Sequence, residues 1–297
     1  MSNNRNFMEM LRAQWADRKF LTVSLNPRLD RMPVGCSDTL TFLDGMIAAT
    51  ADEVCCYQID PDFFDPMYGS NSLNVVRELI THIHEVAPLV PIIADIQKAG
   101  ARHTIERAAN LWFKDMAVDA ITICAYYGRY AFVSALQFAD KGIIVNCRTS
   151  NEEADELQDA KVMVSDDTPI PLYQYVAWRV SQYWNERGNC ALAIGAKHAH
   201  ELSEIRKVIT QADRPAVTPF FVYGISSRGQ VHIKESMEES VANAKDNNGQ
   251  GFSIVTSRSV LYSSPDQGFG CFTSAKTTVR AFNDIIRNKI RGRDENV

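Results

Sequence analysis

Eight short apolar runs recur along the chain with helical stretches between them: 20–25, 53–59, 90–95, 119–124, 142–147, 190–195, 220–224 and 251–256. They are nearly continuous in apolar residues and do not alternate, as expected of parallel strands buried on both faces. The segments between them carry helical spacing, as in NVVRELITHIHEV (74–86), TPIPLYQYVAWRVSQYWNERG (168–188) and HELSEIRKVIT (200–210). Strand and helix alternating eight times point to an α/β fold, a (β/α)8 TIM barrel, with a doubly wound open sheet as the competing arrangement. At 297 residues and 45% hydrophobic content the chain can bury a full core, and no linker or low-complexity stretch divides it, so 1–297 reads as one barrel domain.

Charge narrows the partners. A formal net charge of −5, with Lys and Arg scattered, offers no footprint for nucleic acid and leaves a small molecule as the expected ligand. No apolar run reaches membrane-spanning length, and the opening MSNNRNFMEMLRAQW lacks the layout of a secretion signal, so a soluble cytoplasmic protein away from membranes is expected. The seven cysteines are an odd number without zinc-type spacing and read as buried free thiols. His82 and His84 read as helix surface, and the HAH at 198–200 would need carboxylates from elsewhere to hold a metal, so no metal site is expected.

A barrel places its chemistry at the carboxyl ends of its strands. The polar residues there are Asn26 after the first run, Gln58 and Asp60 after the second, Asp95 and Gln97 after the third, and Tyr126 and Tyr127 after the fourth. Arg148, Thr149, Ser150 and Asn151 follow the fifth, Lys197 and His198 the sixth, Gly224 to Gly229 the seventh, and Ser257 with Arg258 the eighth. The Gly-rich YGISSRGQ and the TSRS after the last two runs suit a phosphate: backbone N–H groups and the guanidinium groups of Arg228 and Arg258 complement its charge.

Taken together, these strand ends resemble the orotidine 5′-monophosphate decarboxylase family, in its longer branch. LTVSLNPRL resembles the family's Val-Gly-Leu-Asp-Pro, YQIDPDFF its Lys-x-Asn-x-x-Phe-Phe, and AYYG its Pro-Tyr-x-Gly. CRTSNEEADELQ resembles its Arg-Thr-Ser-Asn with a following Gln, and AIGAKHAHEL its Gly-Ala-Thr-x-x-x-Glu-Leu. VYGISSRGQ stands where the family has Pro-Gly-Ile-Gly-Ala-Gln-Gly, and VTSRSVLYS where it has Ser-Arg-x-Ile.

The resemblance implies a catalytic network of a Lys after strand two and Asp-x-Lys-x-x-Asp after strand three, with an Asp after strand one on the ribose. Here Gln58 stands for the first Lys, Gln97 for the second, Gly100 for the last Asp and Asn26 for the strand-one Asp; Asp95 alone is kept. A glutamine amide is no general acid near neutral pH, and positioned proton transfer is typically worth ~10²–10⁴-fold. Lys98 and His103 are the substitute proton donors in sequence reach, although alternation turns Lys98 away from the side that Gln97 faces. The resemblance also implies ligand contacts from Thr104, Thr149, Ser150, Gly224, Arg228, Ser257 and Arg258, a homodimer, and no metal or organic cofactor. Asn26 and Asp60 join the ligand contacts from their strand ends.

Three readings follow. One is a nucleotide- or phosphosugar-binding enzyme with a changed reaction and Asp95 as its acid–base group. Another is a non-catalytic binding or partner subunit. The third is an orotidylate decarboxylase of pyrimidine biosynthesis that works through Lys98.

Overall fold

The computed structural model describes residues 5–33, 36, 38–164, 169–210, 218–225, 230–264 and 270–292. Its strands, in chain order, are β1 (Leu21–Ser24), β2 (Cys56–Ile59), β3 (Ile92–Lys98), β4 (Ala120–Cys124), β5 (Gly142–Arg148), β6 (Lys161–Met163), β7 (Pro169–Pro171), β8 (Cys190–Gly195), β9 (Phe220–Tyr223) and β10 (Phe252–Thr256). All but β6 and β7 pair in parallel and close in the order β1-β10-β9-β8-β5-β4-β3-β2. The chain therefore forms a closed (β/α)8 barrel, and each apolar run of the sequence supplies one of its strands.

Residues Lys161–Met163 and Pro169–Pro171 correct the reading of 168–188 as helix from its start, because they pair as a small antiparallel ribbon. Proline fixes φ, lacks an N–H and holds the residue before it extended, so Pro-Ile-Pro stays a strand and the helix begins at Leu172.

One end of the barrel is plugged. The helix Phe7–Ala16 drives Phe7, fully buried, against Phe221, with ring centroids 6.2 Å apart. A Cβ at Gly142 would stand 2.3 Å from the Phe7 ring, so β5 must begin with glycine. Arg5 Nε donates to Asp119 Oδ1 at 2.9 Å, and the second Asp119 oxygen accepts from the Ile92 N–H at 2.9 Å. These contacts lie at the amino ends of the strands. The carboxyl ends are left to form the mouth.

Two strands lose register at that mouth. Ala94 pairs with Ile121 and Lys98 with Ile123, so β3 spends four residues where β4 spends two; β5 and β8 slip between Asn146 and Arg148. Bulges re-aim side chains beside functional sites. Both sit where the polar strand ends converge.

Candidate functional site

Asp95 is the centre of a chain of hydrogen bonds drawn from five strands. Gln58, buried at the end of β2, donates from Nε2 to Asp95 Oδ2 at 2.8 Å, and Thr122 on β4 donates from Oγ1 to Asp95 Oδ1 at 2.7 Å. Tyr223, ending β9, donates its phenol to Gln58 Oε1 at 2.8 Å and thereby fixes which way the amide faces. The Gln97 N–H donates to Thr122 Oγ1 at 2.8 Å, and Asn146 reaches Gln97 Oε1 at 3.4 Å. The two glutamines thus occupy a connected polar network, as their amides permit. Among the described residues, no Lys, Arg or His side chain takes part in these hydrogen bonds.

The electrostatics follow from that. Burial pushes the Asp95 carboxyl above its usual range, with Asp62 adding to the rise and the Thr122 hydroxyl opposing it. Burial likewise raises Asp60, helped by the charge on Asp95, to about 6. Asp60 also accepts the Asp62 N–H at 3.0 Å. Two carboxyls with enhanced proton affinity therefore lie at the ends of β2 and β3, near enough for the charge of Asp95 to act on Asp60. Among the described residues, no group of three or more His, Cys, Asp or Glu side chains is placed to hold a metal ion.

A cavity of about 180 Å³ opens over this network, lined by Asp95, Gln97, Asn146, Arg148, Thr149, Ser150 and Tyr223 among others. Its far wall is built by Arg148, Thr149, Ser150 and Asn151 of the CRTSN motif, with Glu201 of the HEL motif behind Arg148. Arg148, buried, donates from Nε to Glu201 Oε2 at 2.8 Å and from Nη2 to Oε1 at 3.0 Å, a two-pronged pairing that suits a guanidinium and a carboxylate. Gln158 accepts the Thr149 N–H and donates to its hydroxyl, both at 2.9 Å, which holds the loop after β5 in place. Gly195 and Gly224 let that loop approach: an added Cβ would lie 2.7 Å from the Ser150 N and 2.9 Å from its Oγ, respectively. Gly224 has φ +79°, so glycine is required there twice over.

On the β1 side, Asn26 Oδ1, Ser24 Oγ and Ser257 Oγ are buried without a hydrogen-bond partner. Val23 pairs with Thr256, which sets Ser24 beside Ser257 along the β1/β10 seam. Buried polar atoms are seldom left unpaired: a ligand's hydroxyl would donate to the Asn26 oxygen, and phosphate or hydroxyl oxygens would accept from the two serine hydroxyls.

Not every residue expected at the site joins it. Lys98, His103 and Thr104 line a second hollow of about 530 Å³ with Asp62 and Arg107. The β3 bulge is present, yet Asp95 and Gln97 face the first cavity while Ile96 and Lys98 face the second, so the bulge does not bring Lys98 to Asp95. His103 is exposed in the first turn of the helix Arg102–Asn110. Arg258 is exposed and lines a third hollow with Arg31 and Tyr262. Arg228 lies outside the described residues. His82 and His84 are half-buried rather than plain helix surface, His84 meeting the Ala117 carbonyl at 3.1 Å.

Tyr223, Thr122 and Asn146 are site residues that sequence reasoning passes over. Tyr223 falls within YGISSRGQ, whose glycines and Arg228 carry the phosphate reading. The available signal is that a tyrosine ends a strand at a position where the resembling family has proline.

No family model matches the chain. Among curated proteins, the orotidine 5′-phosphate decarboxylase of Ralstonia pickettii is 32% identical over 285 residues, covering 94% of this chain and 97% of that protein. That of Janthinobacterium sp. is 33% identical over 268 residues, covering 89% and 92%. Among solved structures, the OMP decarboxylase of Leishmania donovani superposes with a TM-score of 0.76 at 24% identity, over 95% of this chain and 99% of its own. The UMP synthase of the same organism gives 0.77 at 25% identity, over 95% of this chain and 56% of that longer one.

Proposed function

The chain belongs to the orotidine 5′-phosphate decarboxylase family, and on that premise we propose that it binds a nucleotide or phosphoribosyl monophosphate in the barrel mouth without lysine-driven loss of carbon dioxide. The observation that carries this reading is the 2.8 Å hydrogen bond from Gln58 Nε2 to Asp95, at a position where the family resemblance leads one to expect an ammonium. An amide holds a carboxylate in place as an ammonium does, but it releases no proton near neutral pH and adds no charge to stabilise a carbanion. The network is therefore kept as a scaffold and emptied of its acid.

The unpartnered Asn26, Ser24 and Ser257 oxygens support a polyhydroxylated or phosphorylated ligand along the β1/β10 seam, with Thr149 and Ser150 on the opposite wall. Gly224 and Ser257, just past the ends of β9 and β10, then lie nearest the phosphate. The position of Lys98 in the outer hollow favours this reading over one in which Lys98 supplies the proton. Asp95 and Asp60 favour one further step. Carboxyls whose proton affinity is raised toward neutrality are suited to take a proton from bound ligand or water, so any retained chemistry would run through Asp95 as general base. A homodimer in the cytoplasm fits the family membership.

The test is calorimetric titration with uridine and orotidine 5′-monophosphates beside uridine and orotidine. Phosphate-dependent binding of the nucleotides is the expected result. Equal affinity with and without the phosphate, or no binding of any of the four, would overturn the reading.

A further inference from the structure

The cavity over Asp95, at about 180 Å³, is smaller than the roughly 300–1,000 Å³ of sites that enclose a ligand of nucleotide size. It is not closed on all sides. Gln97, Asn146 and Thr149 line it and also line a neighbouring annex of about 730 Å³. The annex is mainly apolar, walled by Leu157, Leu172, Val176 and Trp184 and floored by the small side chains of Ala99 and Ala125. Gln97 therefore stands in a doorway between a polar chamber and an apolar one. Its backbone, at φ +40°, is held in a conformation that non-glycine residues seldom adopt.

We propose that the annex is a specificity subsite that takes an apolar, planar extension of the ligand whose polar part lies over Asp95. This rests on the nucleotide reading above and goes further, because it names the ligand class: a nucleotide whose base carries an aromatic or branched apolar group. Continuity decides the occupant. A group entering the annex through Gln97, Asn146 and Thr149 stays covalently part of what those residues already contact. Trp184 and Tyr175 offer ring faces for a planar group, and Leu157, Leu172 and Val176 remove its edges from water. The annex lies directly behind Gln97, at the end of the site where the family's charges are missing. A pocket without those charges tolerates apolar bulk there.

The test compares uridine 5′-monophosphate with derivatives bearing a phenyl group on the base, in wild type and in two annex variants. Val176→Phe fills the annex, and Leu157→Asp makes its exposed rim polar at a position where folding is not at stake. Wild type is expected to bind a phenyl derivative about tenfold tighter than the parent nucleotide, as burial of one aromatic ring implies. Both variants are expected to lose that gain while keeping the affinity for the parent. Binding of the parent nucleotide with no gain for any derivative overturns the annex proposal and leaves the nucleotide reading standing. Failure of every nucleotide to bind overturns both. Sedimentation supplies the remaining outcome: variants that change the subunit state and leave the phenyl gain intact would assign the annex to a subunit contact and overturn the proposal.

Discussion

Gln58 where the resemblance implies Lys would keep reach and remove charge, and the consequence depends on what the amide then meets. Gln58 is buried with both ends engaged, Nε2 on Asp95 and Oε1 under the Tyr223 phenol. Tyr223→Phe would strand a buried carbonyl oxygen, at a cost of about 1–3 kcal/mol. A fall in Tm of about 2 °C per kcal/mol is the expected reading in thermal unfolding, and an unchanged Tm would show that the amide is not held by the phenol. Asp60 makes a pH-dependent counterpart. Its folded pKa, about 6, exceeds the ordinary 3.8, so the folded state binds this proton more tightly than the unfolded chain does. The penalty is therefore absent below about pH 4, grows as pH rises through the window, and is complete above about 6. Asp60→Asn is expected to raise Tm by about 2 °C at pH 8 and to leave it unchanged at pH 4; an equal shift at both values would contradict the assignment. Asp95, Gln58 and Gln97 were legible because each ends an apolar run. Tyr223 was not, because its partner lies 165 positions away in sequence.

At the level of elements, the apolar runs predicted the barrel strands to within a few residues, since burial on both faces leaves a contiguous signal. The bulge in β3 left no such trace. It depends on two backbone positions, Gln97 at φ +40° and Gly100 at φ +141°, and only the second is a glycine. Gly100 also sits over Thr104, whose Cγ2 would lie 3.2 Å from an added Cβ. The missing acid at 100 is therefore tied to backbone shape: restoring Asp there requires the loop to be rebuilt, and simple exchange of side chains is not enough. Gln97→Gly is expected to hold Tm or raise it by a few °C, from up to about 1–2 kcal/mol of relieved strain, and Gly100→Ala to lower it. Thermal unfolding of the two variants checks this directly. The reverse order would show that the β3 end adopts another path.

For the whole molecule, plugging and opening are divided between the two ends of the barrel. The helix Phe7–Ala16 and the Arg5–Asp119 pair close one end, while bulges and glycines shape the other. The sequence showed where the mouth would be, because strand order alone locates it. Strand alternation also turned Lys98 away from Asp95 and Gln97, and Lys98 opens into a different hollow from theirs; the sequence did not show that Arg258 turns toward Arg31 and Tyr262, since that direction is set by packing among distant segments. The function proposed here is that of a family barrel with a ligand-binding mouth and without the proton donor of decarboxylation. Carbon dioxide release from orotidine 5′-monophosphate, with protein in excess over ligand, tests it most directly. The expected result is release no faster than in buffer alone while the nucleotide is bound; catalytic release that disappears in Lys98→Ala would contradict it.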